Sequence, residues 1–176
     1  QTFQPPRLLI GLSLGGAAMM AVANQIPSAA GIVTLAAPSC TRHLAEFLNK
    51  QSPEIETDGK GTVVIGGRRH QIKPQLLASL RQCDLTSDIA ALRIHHLILH
   101  SPEDETLGFY HAENLYRMTG GIKSFVTLDG SDHLLALGNQ LSAGRTHRTG
   151  QGHIDLDVLL VFLGVQNADF IDESQV

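Results

Sequence analysis

Residues 8–18 (LLIGLSLGGAA) constrain the fold more than any other stretch of the chain. A short Leu/Ile run meets Gly-x-Ser-x-Gly and passes directly into an alanine-rich run, the pattern of a buried strand, a one-residue turn and a helix. Such a turn is a nucleophile elbow. A serine hydroxyl is a weak nucleophile, so it has to be held out where a base reaches it, and a strained turn does this only if its flanks carry no bulk. Gly11 and Gly15 supply that clearance, while Gly16 and Ala17 let the helix start close beneath the strand. The first helical turn aims free N–H groups at the place where an anionic intermediate would form. The same residues also read as a Gly/Ser turn between packed elements or as a phosphate-cradling loop. The loop fits poorly: no Lys-Ser/Thr pair ends it, and Gly11, Gly15 and Gly16 lack the dinucleotide-binding spacing.

At 176 residues the chain has room for one ordinary domain with a sizeable core. Its net charge of -4 is mild and its Lys and Arg do not gather, which argues against nucleic acid or an anionic membrane as partner. Cys40 and Cys83 form neither a metal spacing nor a disulfide framework, as expected in a reducing cytoplasm. No window is long and apolar enough to span a bilayer, and residues 1–6 (QTFQPP) do not make a signal peptide. Starting at Gln1 without an initiator Met, the sequence is expected to begin inside a longer protein.

In chain order, a helix is expected over 17–25, stopped by Ile26-Pro27, and a second buried strand over 31–37. Strand, helix and strand make a right-handed crossover, so the two strands should lie parallel. Residues of about 40–93 change character: a short helix at 43–50, a hairpin of 61–65 and 68–73 turning at Gly66-Gly67, and two helices at 74–81 and 87–92. An excursion of this size reads as a lid over a site or as decoration. A third strand is expected at 95–100, a helix at 109–118 and a fourth strand at 123–128. Each strand is aliphatic along its length, as when helices cover both faces, giving a three-layer α/β sandwich with a mostly parallel sheet. Residues 1–137 hold this domain. Residues 138–176 form a tail of unclear structure, with one apolar helix or strand expected at 155–165.

Sites in open parallel sheets gather at the carboxyl ends of the strands. Ser13, Asp104 and His133 fall at three such ends, in the order nucleophile, acid, base. His133 would take the Ser13 proton while Asp104 fixes the imidazole tautomer. Glu103, Glu105 and Asp132 are rival acids, and Asp104 and His133 each also read as ordinary turn or loop residues. His95 and His96 point to opposite faces of one strand, so with His100 they read as core or edge histidines, and no metal or cofactor site is expected. Ser39, Ser101 and Ser131 read as turn residues.

With these residues placed, the sequence resembles the α/β-hydrolase superfamily, and within it the hydrolase half of bifunctional proteins that fuse an α/β hydrolase to an OsmC-type domain. The phrases that carry the resemblance are 8–18, 33–38 (VTLAAP), 99–108 (LHSPEDETLG) and 123–135 (KSFVTLDGSDHLL), within a match over about 6–137. It implies Ser13, Asp104 and His133 as nucleophile, acid and base, with Leu14 N–H as one oxyanion-hole donor. Leu12 stands where relatives usually carry His. By the same resemblance, the early strands and the loop bearing the second donor precede Gln1. The expected function is hydrolysis of a small-molecule carboxylic ester or thioester through an acyl-enzyme. The alternatives are acyl transfer to another acceptor, or an inactive fragment that serves as an interaction module and self-associates through an exposed sheet edge.

Overall fold

Between the first strand, β1 (Leu8–Leu12), and the helix that follows, α1 (Leu14–Ala23), stands Ser13 alone. The computed structural model describes residues 4–65 and 68–135. After β2 (Gly31–Leu35) come α2 (Thr41–Gln51), α3 (Glu54–Thr57), β3 (Gly61–Ile65), β4 (Arg68–Ile72) and α4 (Pro74–Gln82). Then follow α5 (Thr86–Ala91), β5 (His95–His100), α6 (Tyr110–Met118) and β6 (Lys123–Thr127). The main sheet runs β1-β2-β5-β6 with every neighbouring pair parallel. The fold is therefore the expected α/β type with a parallel sheet.

Register decides which side chains meet the helices. Leu9, Ile32 and His96 stand side by side, as do Gly11, Thr34, Ile98 and Phe125. On that face Leu9, Ile32 and Ile98 share one core with Met20 of α1, Ile89 of α5 and Leu115 of α6, and Phe125 packs against it. Removing each such Leu or Ile side chain from water contributes about 1.5–3 kcal/mol. The opposite face is less closed than the uniformly aliphatic strands imply: β2 is buried along most of its length, but Ile10 and Leu12 of β1 are 49% and 39% exposed. Helices α1, α5 and α6 lie over one face, and the second helical layer of the sandwich is not represented among the described residues. The tail at 138–176, including the element expected at 155–165, lies outside them.

The insertion between β2 and β5 builds a core of its own. Leu44, Leu48, Ile55, Val63, Ile72, Leu77 and Leu80 pack together, with Leu107 from beyond β5. β3 and β4 pair antiparallel as expected, Gly61 facing Ile72 and Ile65 facing Arg68; their turn, Gly66-Gly67, is outside the described residues. Thr41 Oγ1 lies 2.7 Å from the Leu80 carbonyl and 2.9 Å from that of Cys83, joining the two ends of the insertion. Arg81 bridges Glu46 and Glu56 across its surface. That core ends with α4: Leu85, Ile89 and Leu92, later in the same excursion, turn into the main core instead.

His95 is exposed and His96 buried, the opposite placement that strand geometry demands. Thr119 Oγ1 donates to the Leu115 carbonyl at 2.8 Å, which leaves it to accept from His96 Nδ1–H at 2.8 Å. Thr34 Oγ1 then donates to His96 Nε2 at 2.9 Å, so the ring is satisfied as the neutral Nδ1–H tautomer. Burial, helped by the Lys123 charge, pushes its pKa down to about 4. The unfolded chain takes up this proton near pH 6.5 and the folded chain only near 4, so the stabilisation is complete at neutral pH and is lost on acidification between those values. At pH 5 the loss from this ring is about 2 kcal/mol. Urea unfolding should therefore give a lower midpoint at pH 5 than at pH 7, with a smaller difference in His96→Gln. An undiminished difference in that variant assigns the acid sensitivity elsewhere.

Candidate active site

Ser13 occupies φ 51°, ψ -122°, a conformation that costs a non-glycine residue about 1–3 kcal/mol. Two backbone bonds hold it there: Ser13 N–H to the Leu35 carbonyl at 2.8 Å, and Gly16 N–H to the Ser13 carbonyl at 3.0 Å. The turn is possible because α1 starts almost in contact with β1. A Cβ on Gly11 would stand 2.5 Å from the backbone of Gly15 and Gly16, and one on Gly16 would stand 2.6 Å from Ala37 Cβ. Gly15, expected to provide clearance, has nothing within 4 Å of its Cβ position; Gly11 and Gly16 perform that role. Ala17 N–H also turns back to the Ser13 carbonyl, at 3.3 Å, so the first-turn N–H groups without an intrahelical acceptor are those of Leu14 and Gly15.

The loop after β5 carries Asp104, whose side chain is fully buried. Its Oδ1 accepts the N–H groups of Thr106 at 2.9 Å and Leu107 at 2.8 Å, and its Oδ2 lies 2.7 Å from His133 Nδ1. The loop after β6 carries His133 and is tied to the Asp104 loop. The Ser101 hydroxyl proton is shared between the Ser131 carbonyl, 2.6 Å from Oγ, and Glu103 Oε2 at 3.0 Å, and Glu103 Oε2 accepts Gly130 N–H at 3.2 Å. That N–H, and then the Ser101 hydroxyl, hold the Glu103 carboxyl below the usual range. His133 Nε2 lies 3.0 Å from Ser13 Oγ. With Asp104 ionised and able only to accept, the ring proton sits on Nδ1 and the bare Nε2 lone pair faces the serine hydroxyl.

The structure thus brings Ser13, His133 and Asp104, separated by up to 120 residues in sequence, into one hydrogen-bonded row. Of the rival acids, Glu103 and Glu105 are exposed, and Asp132 Oδ1 accepts Leu134 N–H at 2.9 Å. Sequence reasoning did not single out His111, buried on α6. Its Nδ1 takes the Ser39 N–H at 3.2 Å and lies 3.0 Å from Ser39 Oγ. Burial, then the nearby His43 and His100, push its pKa down to about 4 against the pull of Asp104. Ser101, legible only as a turn former, proves to stitch the two loops together. Among the described residues no group of His, Cys, Asp and Glu could hold a metal ion.

No protein-family model and no curated protein sequence matches the chain. Among solved structures it is similar to the esterase domain from a Rhodothermus marinus protein, with 39% identity and a TM-score of 0.63 over 75% of this chain and 54% of that one. The fold is that of the α/β hydrolases. Mouse alpha/beta hydrolase domain-containing protein 10 shares it at 17% identity and a TM-score of 0.59, over 76% of this chain and 56% of that one. So does a structure from the metagenome-derived lipolytic enzymes LipS and LipT, at 20% identity and 0.62, over 90% of this chain and 65% of that one. The chain spans about half the length of the first two. Among the described residues no helix is long and apolar enough to cross a membrane.

Proposed function

We propose that the chain carries the catalytic centre of a serine hydrolase that cleaves a small-molecule carboxylic ester or thioester. The observation that carries this is the row of 3.0 Å and 2.7 Å contacts from Ser13 Oγ through His133 to Asp104, set on a strained turn at a helix start. The likeness to an esterase domain at 39% identity supports it. Ser13 Oγ gives its proton to His133 Nε2 as it attacks the acyl carbon, and Asp104 stabilises the imidazolium. The carbonyl oxygen becomes anionic beside the Leu14 N–H at the positive end of α1, one donor of the kind whose removal costs about 100- to 1,000-fold in turnover. The imidazolium protonates the departing alcohol or thiol, leaving Ser13 acylated. Water, deprotonated by His133, then releases the acid and restores the serine. The insertion of α2 to α4 is proposed to cover the acyl group. The OsmC-type fusion implied by the sequence resemblance belongs to the same proposal, and the reading frames flanking the gene test it.

A fluorophosphonate probe should phosphonylate the chain at Ser13, located by tandem mass spectrometry, with p-nitrophenyl acetate turnover lost in step. Modification at Ser39, Ser101 or Ser131 instead, or none at all, removes the proposal.

A further inference from the structure

His100 ends β5 with no exposed side-chain surface, and the proton transfers above make no use of it. Its Nε2 lies 2.8 Å from the Leu107 carbonyl and 3.5 Å from Asp104 Oδ2. Both neighbours accept hydrogen bonds, so Nε2 is the protonated nitrogen. Nδ1 is buried with no partner among the described residues, consistent with its carrying no proton. The ring therefore spans the loop 101–107 at its base, bonded to one end and leaning on the carboxylate in the middle.

Leu107 is the other end of that clamp. Its N–H donates to Asp104 Oδ1 and its carbonyl accepts from His100, while its fully buried side chain sits in the core of the insertion with Leu44, Leu48 and Leu77. One residue thus joins the packing of the insertion to the oxygen atoms of Asp104. A loop of seven residues has many conformations of similar energy, and Asp104 orients His133 only in those that point Oδ2 at Nδ1.

We propose that His100 and Leu107 are positioning residues that clamp the Asp104 loop, and that the insertion acts on the active site through Leu107 as well as by covering it. The inference rests on the serine hydrolase proposal for its effect on rate. Its effect on geometry does not depend on it. Without the clamp the Asp104–His133 contact loosens, and a displacement of about 1 Å in such an array costs about 100-fold.

The test measures fluorophosphonate inactivation of the full chain, separating the limiting rate from probe affinity, beside the downfield NMR resonance of the His133 Nδ1 proton. His100→Leu, which keeps apolar bulk and removes the donor, should lower the limiting rate about 100-fold at unchanged probe affinity and broaden or erase that resonance. His100→Gln, whose amide reaches the Leu107 carbonyl, should restore most of both. Leu107→Ala should act like His100→Leu, whereas Ile89→Ala, in the main core and outside that of the insertion, should leave rate and resonance unchanged. If His100→Leu does not fold, His100→Asn, whose shorter side chain withdraws the donor, is compared with His100→Gln in its place. Equal rates and resonances in wild type and His100→Leu overturn the inference, as do an Ile89→Ala effect matching that of Leu107→Ala and loss of fold in all three His100 variants. A wild-type chain that resists the probe yet shows the resonance, lost in His100→Leu and kept in His100→Gln, refutes the hydrolase proposal and upholds the clamp.

Discussion

Asp104→Asn should slow phosphonylation by the fluorophosphonate probe about 10,000-fold while leaving the thermal unfolding curve close to wild type. The hydrogen bonds dictate how the amide must sit. Thr106 N–H and Leu107 N–H both need an acceptor where Oδ1 now stands, so the amide oxygen takes that place and the NH2 group turns toward His133 Nδ1. A donor there forces Nδ1 to accept, and the ring proton moves to Nε2. Nε2–H then faces Ser13 Oγ, and an imidazole that presents a proton to the serine cannot remove one. Apart from the 3.5 Å approach of His100 Nε2–H, which loses its acceptor, the contacts are preserved, which is why the loss should fall chiefly on rate and much less on stability. Glu103→Gln is the companion variant: its carboxylate is bound to Gly130 N–H and Ser101, away from the imidazole, and its rate should stay near wild type. A larger loss in Glu103→Gln than in Asp104→Asn would transfer the acid's role to the neighbouring residue.

Much of this arrangement was legible in the chain because the chemistry is written locally. A Gly-x-Ser-x-Gly between an apolar run and an alanine-rich run has few ways to fold, and the strand ends expected at 100 and 128 announce which loops reach the same rim. What could not be read depends on contacts distant in sequence. Residues 86–91 and 74–82 are similar short helices by pattern, yet Ile89 packs against the main core and Leu77 against that of the insertion. His100 could be read as buried, but nothing local says that its Nε2 meets the carbonyl of Leu107 seven residues on. His111 sits in an ordinary amphipathic helix, and only the approach of Ser39, 72 residues earlier, gives its ring a polar partner. The role assigned to Gly15 erred for a related reason: spacing says that a close approach occurs near the serine, and only the coordinates say which glycines it passes.

That difference gives a second large effect. Gly11→Ala should destabilise the fold by about 3 kcal/mol or more, and Gly15→Ala should leave it as stable as wild type or slightly more so. The added methyl of Gly11→Ala would lie 2.5 Å from the carbonyl carbon and oxygen of Gly15 and the nitrogen of Gly16, all backbone atoms of the first turn of α1. No rotamer change relieves such a clash. Either α1 lifts from the sheet, opening the core around Ala17 and Met20, or the turn at Ser13 gives up its strained geometry and moves the hydroxyl away from His133. Both outcomes lower stability and probe reactivity together. Gly15 faces open space in a helix, where alanine is favoured over glycine by about 0.5–1 kcal/mol. Urea unfolding monitored by circular dichroism separates the two, with a much earlier midpoint for Gly11→Ala and an unchanged or later one for Gly15→Ala. Equal losses in both would mean that the elbow tolerates no side chain at either position, and that the near contact between β1 and α1 is not what sets the geometry of Ser13.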